Sequence, residues 1–71
     1  MEFGNLKWFN TEKGYGFIRP DNGADVFIHI STLVRSGIRT DSFKEGQRVS
    51  YELTTSREGK TSAINLKLLE N

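Results

Sequence analysis

The chain has 71 residues, and its ten basic and nine acidic side chains leave a net charge of +1, which gives no argument of its own for a polyanionic partner. This length fits one domain, residues 1–71, near the lower limit at which an apolar core holds a chain together unaided. Because there is no cysteine and His29 is the lone histidine, the composition excludes disulfides and disfavours a zinc site, and we expect no metal and no cofactor.

Glycine and turn residues divide the first half of the chain into three segments of strand length. The first covers residues 3–10 and ends in a turn at residues 11–14. The second, residues 15–20, and the third, residues 25–30, are joined by a turn that contains Asn22 and Gly23. An Asn-Gly pair between apolar segments is the strongest short signal for a β-hairpin.

A longer connection, residues 31–46, precedes the last two predicted strands. It contains one possible helical turn at residues 31–34, and a connection of this length is more often functional than idle. The fourth and fifth strands, residues 48–54 and 63–68, alternate between apolar and polar side chains. The predicted inward faces are Val49, Tyr51 and Leu53 in the fourth strand and Ile64, Leu66 and Leu68 in the fifth.

Five strands with almost no helix predict an all-β fold. A chain this short buries one face and protects its strand edges most economically by closing into a barrel. We expect a five-stranded antiparallel barrel of the oligonucleotide-binding (OB) type. An SH3-like barrel is the competing architecture, because strand count separates the two poorly.

The third strand has its aliphatic and aromatic side chains on opposite faces. Residues two apart in a strand share a face, so Val26, Ile28 and Ile30 form a β-branched core stripe. Phe27 and His29 are then left together on the outer face. The inverted phase would expose the aliphatic residues and bury an imidazole that needs a partner, so it is the poorer alternative.

The second strand repeats this arrangement. With Ile18 in the core, Tyr15 and Phe17 point outward, beside the rings of the third strand. Gly14 and Gly16 would leave room for a nucleic-acid strand over this face, although a tight turn or bend explains such glycines equally well. A subunit covering the patch is a further alternative.

Exposed rings on neighbouring strands are typical of stacking platforms for unpaired bases. Cations at the rim would contact phosphates, and the candidates are Lys7, Lys13 and Arg39. The first strand cannot be phased by alternation, because Leu6, Trp8 and Phe9 place three large apolar residues within four positions; a bulge would resolve it.

Two other functions are alternatives to nucleic-acid binding. A protein-interaction barrel could use the same exposed rings as hot spots. An enzyme is disfavoured, because catalysis needs convergent titratable groups and the strand parity directs Asp25 away from His29. No segment resembles an export signal or approaches the roughly 20 apolar residues of a membrane span. We therefore expect a cytoplasmic protein with no membrane partner. We also expect it to be a monomer.

Three motifs, LKWFN, KGYGFI and DVFIHIS, occur in an order and spacing that resemble the bacterial cold-shock proteins. The similarity continues through SGIRT, EGQRVSYEL and GKTSAINL and so covers nearly the whole chain. Residues 13–18 and 26–29 match the two ribonucleoprotein-type motifs of the cold-shock domain. The combination is highly specific, whereas GYGFI alone would be a weak signal.

The resemblance implies an OB barrel that binds pyrimidine-rich single-stranded RNA and DNA, melts RNA secondary structure, and thereby assists translation or transcription antitermination. It also implies that Trp8 lies at the binding surface. The residues that match the family's binding positions are Lys7, Trp8, Phe9, Lys13, Tyr15, Phe17, Phe27 and His29.

The chain departs from the family pattern at several positions. Ile30 and Ile38 stand where the family commonly has aromatic residues, and our phasing directs Ile30 inward. The segment of residues 40–43 is longer than the usual pattern, so Phe43 either replaces a core leucine or supplies a displaced ring. Ile38, Arg39 and Phe43 are therefore candidate contacts at the rim.

Overall fold

A computed structural model describes residues 1–70, whose strands close into a barrel in the order β1-β2-β3-β5-β4. A short helix and a 3₁₀ helix at Thr40–Ser42 lie between the third and fourth strands. The predicted all-β barrel of five strands is confirmed. The elements are β1 (Glu2–Asn10), β2 (Tyr15–Pro20), β3 (Val26–His29), α1 (Ile30–Arg35), β4 (Arg48–Thr55) and β5 (Thr61–Leu68).

Four of the five strand pairings are antiparallel, as predicted, and the fifth is parallel. β1 pairs with both β2 and β4, β2 pairs with β3, and β4 pairs with β5. The barrel closes where β3 runs parallel to β5, with Phe27 opposite Ser62. Within residues 1–70, no helix combines the length and the apolar composition needed to cross a bilayer.

The aliphatic faces of β2 and β3 lie in the core, as the alternation predicted. Ile18 and Ile28 are fully buried and Val26 is nearly so. Tyr15, Phe17 and Phe27 are only half-buried and His29 is exposed, which excludes the inverted phase. The buried apolar core consists of Leu6, Ile18, Val26, Ile28, Leu33, Phe43, Val49, Tyr51, Ala63 and Leu66.

β1 contains a bulge, which resolves the phase that alternation left open. Leu6 pairs with Ile18 and Trp8 pairs with Phe17, although Ile18 and Phe17 are consecutive, so β1 has one extra residue at Lys7. This insertion lets β1 change phase. Leu6 is buried, Trp8 turns outward with 38% of its surface exposed, and the half-buried Phe9 packs against the core.

Irregularities also break the phase predicted for β4 and β5. The register of β4 shifts between Ser50 and Glu52, so Val49, Ser50 and Tyr51 are buried in succession. The predicted inward position of Leu53 was wrong, because its side chain is 47% exposed.

In β5 the change of phase occurs at Asn65, which adopts a positive φ of 51°. Ala63 and Leu66, three positions apart, both lie in the core. Ile64 and Leu68 are half-buried, and only Leu68 packs against the core cluster. The predicted two-residue periodicity therefore does not hold through this strand.

The chain leaves the barrel surface at Ile30, which corrects its predicted place in the core stripe of β3. β3 ends at His29, and Ile30 begins α1 instead of continuing the strand. Its backbone N–H donates to the carbonyl oxygen of Gly14, 2.9 Å away. α1 in turn buries Leu33 in the core, so the predicted helical turn is confirmed and is longer than expected.

Candidate nucleic-acid interface

Four aromatic rings form a continuous cluster on the outer side of β1, β2 and β3. The ring centroid of Trp8 lies 5.3 Å from that of Phe17 and 5.6 Å from that of Tyr15. Phe27 lies 5.9 Å from both Tyr15 and Phe17. We call these four residues, together with His29 at their edge, the aromatic face.

Strand register explains how the aromatic face is assembled. Phe17 pairs directly with Phe27, and Tyr15 pairs with His29, so the hairpin of β2 and β3 aligns its outward side chains in two rows. The bulge at Lys7 then brings Trp8 opposite Phe17 on the third strand. Opposed residues in a sheet have neighbouring side chains, which is why the rings touch.

Gly16 is a glycine because no side chain fits at this position on the inner side of the sheet. A Cβ atom there would overlap the carbonyl oxygen of Trp8 and would lie 2.7 Å from Cδ2 of Phe9. The missing side chain therefore admits the Phe9 ring and the bulged backbone of β1, and the suggestion that Gly16 clears a path over the outer face was wrong. Gly14 has a φ of +77° and forms the turn, the alternative explanation given for it.

The basic residues predicted at the rim differ in their surroundings. Nζ of Lys7 forms an ion pair with Oδ2 of Asp25 at 2.7 Å. Arg39 forms an exposed ion pair with Asp41 at 2.9 Å. Lys13 is exposed in the turn between β1 and β2. Among residues 1–70, Lys13 is thus the one of these three cations without an ion pair, and Lys7 must exchange its carboxylate partner for a phosphate if it is to contact one.

Three other candidate residues pack toward the core. The Phe43 ring is only 5% exposed and meets the Phe9 ring edge-on, with centroids 5.6 Å apart. Ile38 is half-buried against the same core cluster. Phe43 therefore takes the predicted core alternative, and its burial argues against a rim contact. Phe9 lies beneath the sheet and is not one of the clustered rings.

A cavity that no sequence pattern indicated lies beside the aromatic face. Phe17 and Phe27 form its apolar side, and its volume is about 590 Å³. Barrel closure places β5 beside β3 and so brings the polar hairpin between β4 and β5, residues 56–60, to the rings; this long-range pairing is encoded by no local pattern. The other lining residues are Asp25, Ser56, Lys60, Thr61 and Ser62.

Comparison with known proteins agrees with this geometry. Residues 2–69 match the family model described as the 'Cold-shock' DNA-binding domain. The chain is 55% identical over 69 residues to a probable cold shock protein of Sinorhizobium fredii, with 94% of this chain and 97% of that protein covered. It is 51% identical over 69 residues to cold shock protein CspA of Rhizobium meliloti, with the same coverage. For CspB of Bacillus caldolyticus the identity is 44% over 68 residues, covering 96% and 100%.

The barrel and the matched domain together define a nucleic-acid-binding protein with an OB fold, which decides against the SH3-like alternative. The chain belongs to the cold-shock domain family, and its relatives are cold shock proteins along nearly their full length.

Proposed function

We propose that the aromatic face binds unpaired bases of single-stranded RNA and DNA, with a preference for pyrimidine-rich strands. The observation that carries this proposal is the contiguous cluster of Trp8, Tyr15, Phe17 and Phe27, half-open to solvent above a core already filled by aliphatic side chains. Rings that the core does not need are available to a ligand.

Stacking supplies most of the affinity in this proposal. One base stacked on an aromatic side chain contributes about 1–3 kcal/mol, and every base offers a π-face, so several rings bind a strand with little sequence preference. Association and ordering cost part of this sum, and phosphate contacts restore some of it. An affinity of about micromolar, near −8 kcal/mol, is therefore expected.

The rim cations have a smaller, sequence-independent role. Lys13 contacts a phosphate directly, Lys7 does so after separating from Asp25, and Arg39 assists from the loop. Such contacts fix the position of the strand without distinguishing bases. No chemical step is part of the proposal, so the protein acts as a binding module and not as an enzyme.

Binding of this kind makes the protein an RNA chaperone. Because the rings hold only unpaired bases, the free energy of binding shifts a hairpin toward its open form. The weak sequence preference allows many transcripts to be opened in this way. Translation and transcription antitermination are the processes that melted RNA would assist.

A fluorescence titration tests the proposal. Because Trp8 lies in the cluster, oligothymidine should quench its emission, whereas duplex DNA of the same sequence should quench it far less. Phe17→Ala and Phe27→Ala should each weaken binding by about 1–3 kcal/mol while the chain stays folded.

Phe3→Ala is the matched control, since Phe3 is an exposed phenylalanine of β1 that packs beside Arg48 outside the cluster. It should bind as the wild type does. A flat Trp8 response would contradict the proposal and favour a protein partner for the rings. Variants at Phe17 and Phe27 that merely unfold would instead show that these rings serve the core.

A further inference from the structure

His29 serves two elements at once. It is the last residue of β3, with φ −103° and ψ 152°, and it is also the N-cap of α1. Its Nδ1 atom accepts a hydrogen bond from the backbone N–H of Ser31 at 3.1 Å. A side chain that accepts from this position satisfies one of the free amides at a helix start.

This cap determines which imidazole nitrogen bears the proton. A backbone N–H can only donate, so Nδ1 must offer a lone pair and is unprotonated. The hydroxyl oxygen of Ser31 lies 3.0 Å from the same nitrogen and is then restricted to donating. A neutral imidazole with a bare Nδ1 has its proton on Nε2.

The His29 ring lies next to the rings that are proposed to stack bases. His29 is exposed and pairs across the sheet with Tyr15, and its ring centroid lies 6.5 Å from that of Phe27. Within the part of the chain that the structure describes, Nε2 has no hydrogen-bond partner, although Nδ1 has two neighbours.

We propose that the α1 cap holds His29 as the Nε2–H tautomer, so that it donates a hydrogen bond to a carbonyl oxygen of a base stacked on the aromatic face. This inference rests on the proposed function and adds a directional contact to it. A cap that fixes both ring orientation and tautomer lowers the ordering cost of that hydrogen bond. Thymine and uracil each offer two carbonyl oxygens on their edges, which agrees with the pyrimidine preference.

A base carbonyl is favoured over a phosphate oxygen as the acceptor. A base stacked on Phe27 lies parallel to that ring, and the His29 ring, whose centroid is 6.5 Å from that of Phe27, then lies beside the base. The phosphates would instead be bound by the ammonium groups of Lys7 and Lys13 at the rim, because charged donors bind phosphates more strongly than a neutral imidazole does.

The tautomer is tested on the free protein. Nitrogen-15 spectra of the imidazole, taken in mildly alkaline buffer where an ordinary histidine is neutral, should show the proton on Nε2 and a bare, hydrogen-bonded Nδ1. Ser31→Ala, which keeps the backbone N–H, should retain this pattern. A proton on Nδ1, or a free mixture of both tautomers, would overturn the inference whatever the protein binds.

The donor role is tested by pairing a protein change with a ligand change. In oligothymidine, single thymines are replaced by difluorotoluene, which has the same shape and stacks but is a poor acceptor. The wild type should lose about three- to tenfold in affinity at one position, the effect of one hydrogen bond. His29→Phe, which keeps a stacking ring, should be insensitive at that position.

Each other outcome counts against the inference. Equal sensitivity of the wild type and His29→Phe at every position would remove the donor role. If His29→Phe instead changed only the sensitivity to methylphosphonate substitutions in the strand, the acceptor would be a phosphate and not a base. If oligothymidine fails to quench Trp8 at all, the proposed function fails and the donor role with it, whereas the tautomer result stands or falls independently.

Discussion

At the scale of single residues, the phenylalanines of this chain have different roles that their chemistry does not reveal. Phe17 and Phe27 are half-exposed on the aromatic face, Phe43 is buried, and Phe9 lies between the sheet and Phe43. Strand parity separates the first two from the core, because their neighbours Ile18 and Ile28 are better core residues. Phe43 lies in no strand, so parity could not place it.

Phe43→Ala should therefore destabilise the fold without a specific binding defect. Removing a buried phenylalanine costs about 3–5 kcal/mol, enough to unfold much of a small domain. Phe43→Leu keeps an apolar side chain there and should lose less stability. Thermal unfolding, followed by oligothymidine binding on the folded fraction, measures both effects. Weaker binding by a Phe43→Leu protein of unchanged stability would restore Phe43 as a rim contact.

At the scale of elements, β2 and β3 were the predictable part of the barrel and of its site. Their alternation is regular, and a short connection that contains Asn22 and Gly23 joins them, so local sequence determined both the bounds of β2 and the outward rings. β1, β4 and β5 each contain an irregularity that alternation cannot represent. These are the bulge at Lys7, the register shift before Glu52 and the positive φ of Asn65.

The cavity beside Phe17 was unpredictable for a related reason. It exists because the hairpin between β4 and β5 returns to β3, and only the closed barrel shows that Ser62 faces Phe27. The cap of α1 by His29 was missed as well, since Ser, Thr, Asp and Asn are the usual caps and a histidine gives no comparable signal.

An ion pair joins the turn after β2 to the start of β4. Nη1 and Nη2 of Arg48 donate to the two oxygens of the Asp21 carboxylate, at 2.7 and 2.8 Å. The hydrogen bonds from Arg48 lower the pKa of Asp21. Because the folded pKa lies below the unfolded one, this contribution to stability is present above the unfolded value of about 3.9 and is lost as the pH falls through the folded pKa.

Asp21→Asn should thus reduce stability at neutral pH, and its difference from the wild type should vanish in acid. Denaturant unfolding across an acid titration measures this convergence. Asp41→Asn is the matched control, because its partner Arg39 is far more exposed than Arg48, and exposed pairs contribute little. Parallel stability curves for wild type and Asp21→Asn down to low pH would contradict the assignment.

At the scale of the whole molecule, a net charge of +1 leaves recognition to the arrangement of a few charges around the aromatic face. Stacking and phosphate contact then respond differently to salt. For single strands, each phosphate contact adds about 0.7 to the slope of log affinity against log salt concentration. Uncharged rings add nothing to that slope.

Lys13→Gln should consequently flatten the salt dependence of oligothymidine binding by about 0.7, the value for one phosphate contact. Phe27→Ala should weaken binding at every salt concentration and leave the slope unchanged. Titrations at several salt concentrations separate the two effects. A steeper or unchanged slope for Lys13→Gln would remove this lysine from the interface, and a flattened slope for Phe27→Ala would show that its loss displaces the strand.

Chemical-shift mapping of a short oligothymidine on the folded protein tests the central claim most directly. The largest shifts should fall on Trp8, Tyr15, Phe17, Phe27 and His29, with smaller ones along the hairpin of residues 56–62. The assignment of the aromatic face as the nucleic-acid interface would be contradicted by shifts concentrated around Phe3, Tyr51 and Leu53. It would also be contradicted if millimolar concentrations of oligothymidine caused no shifts.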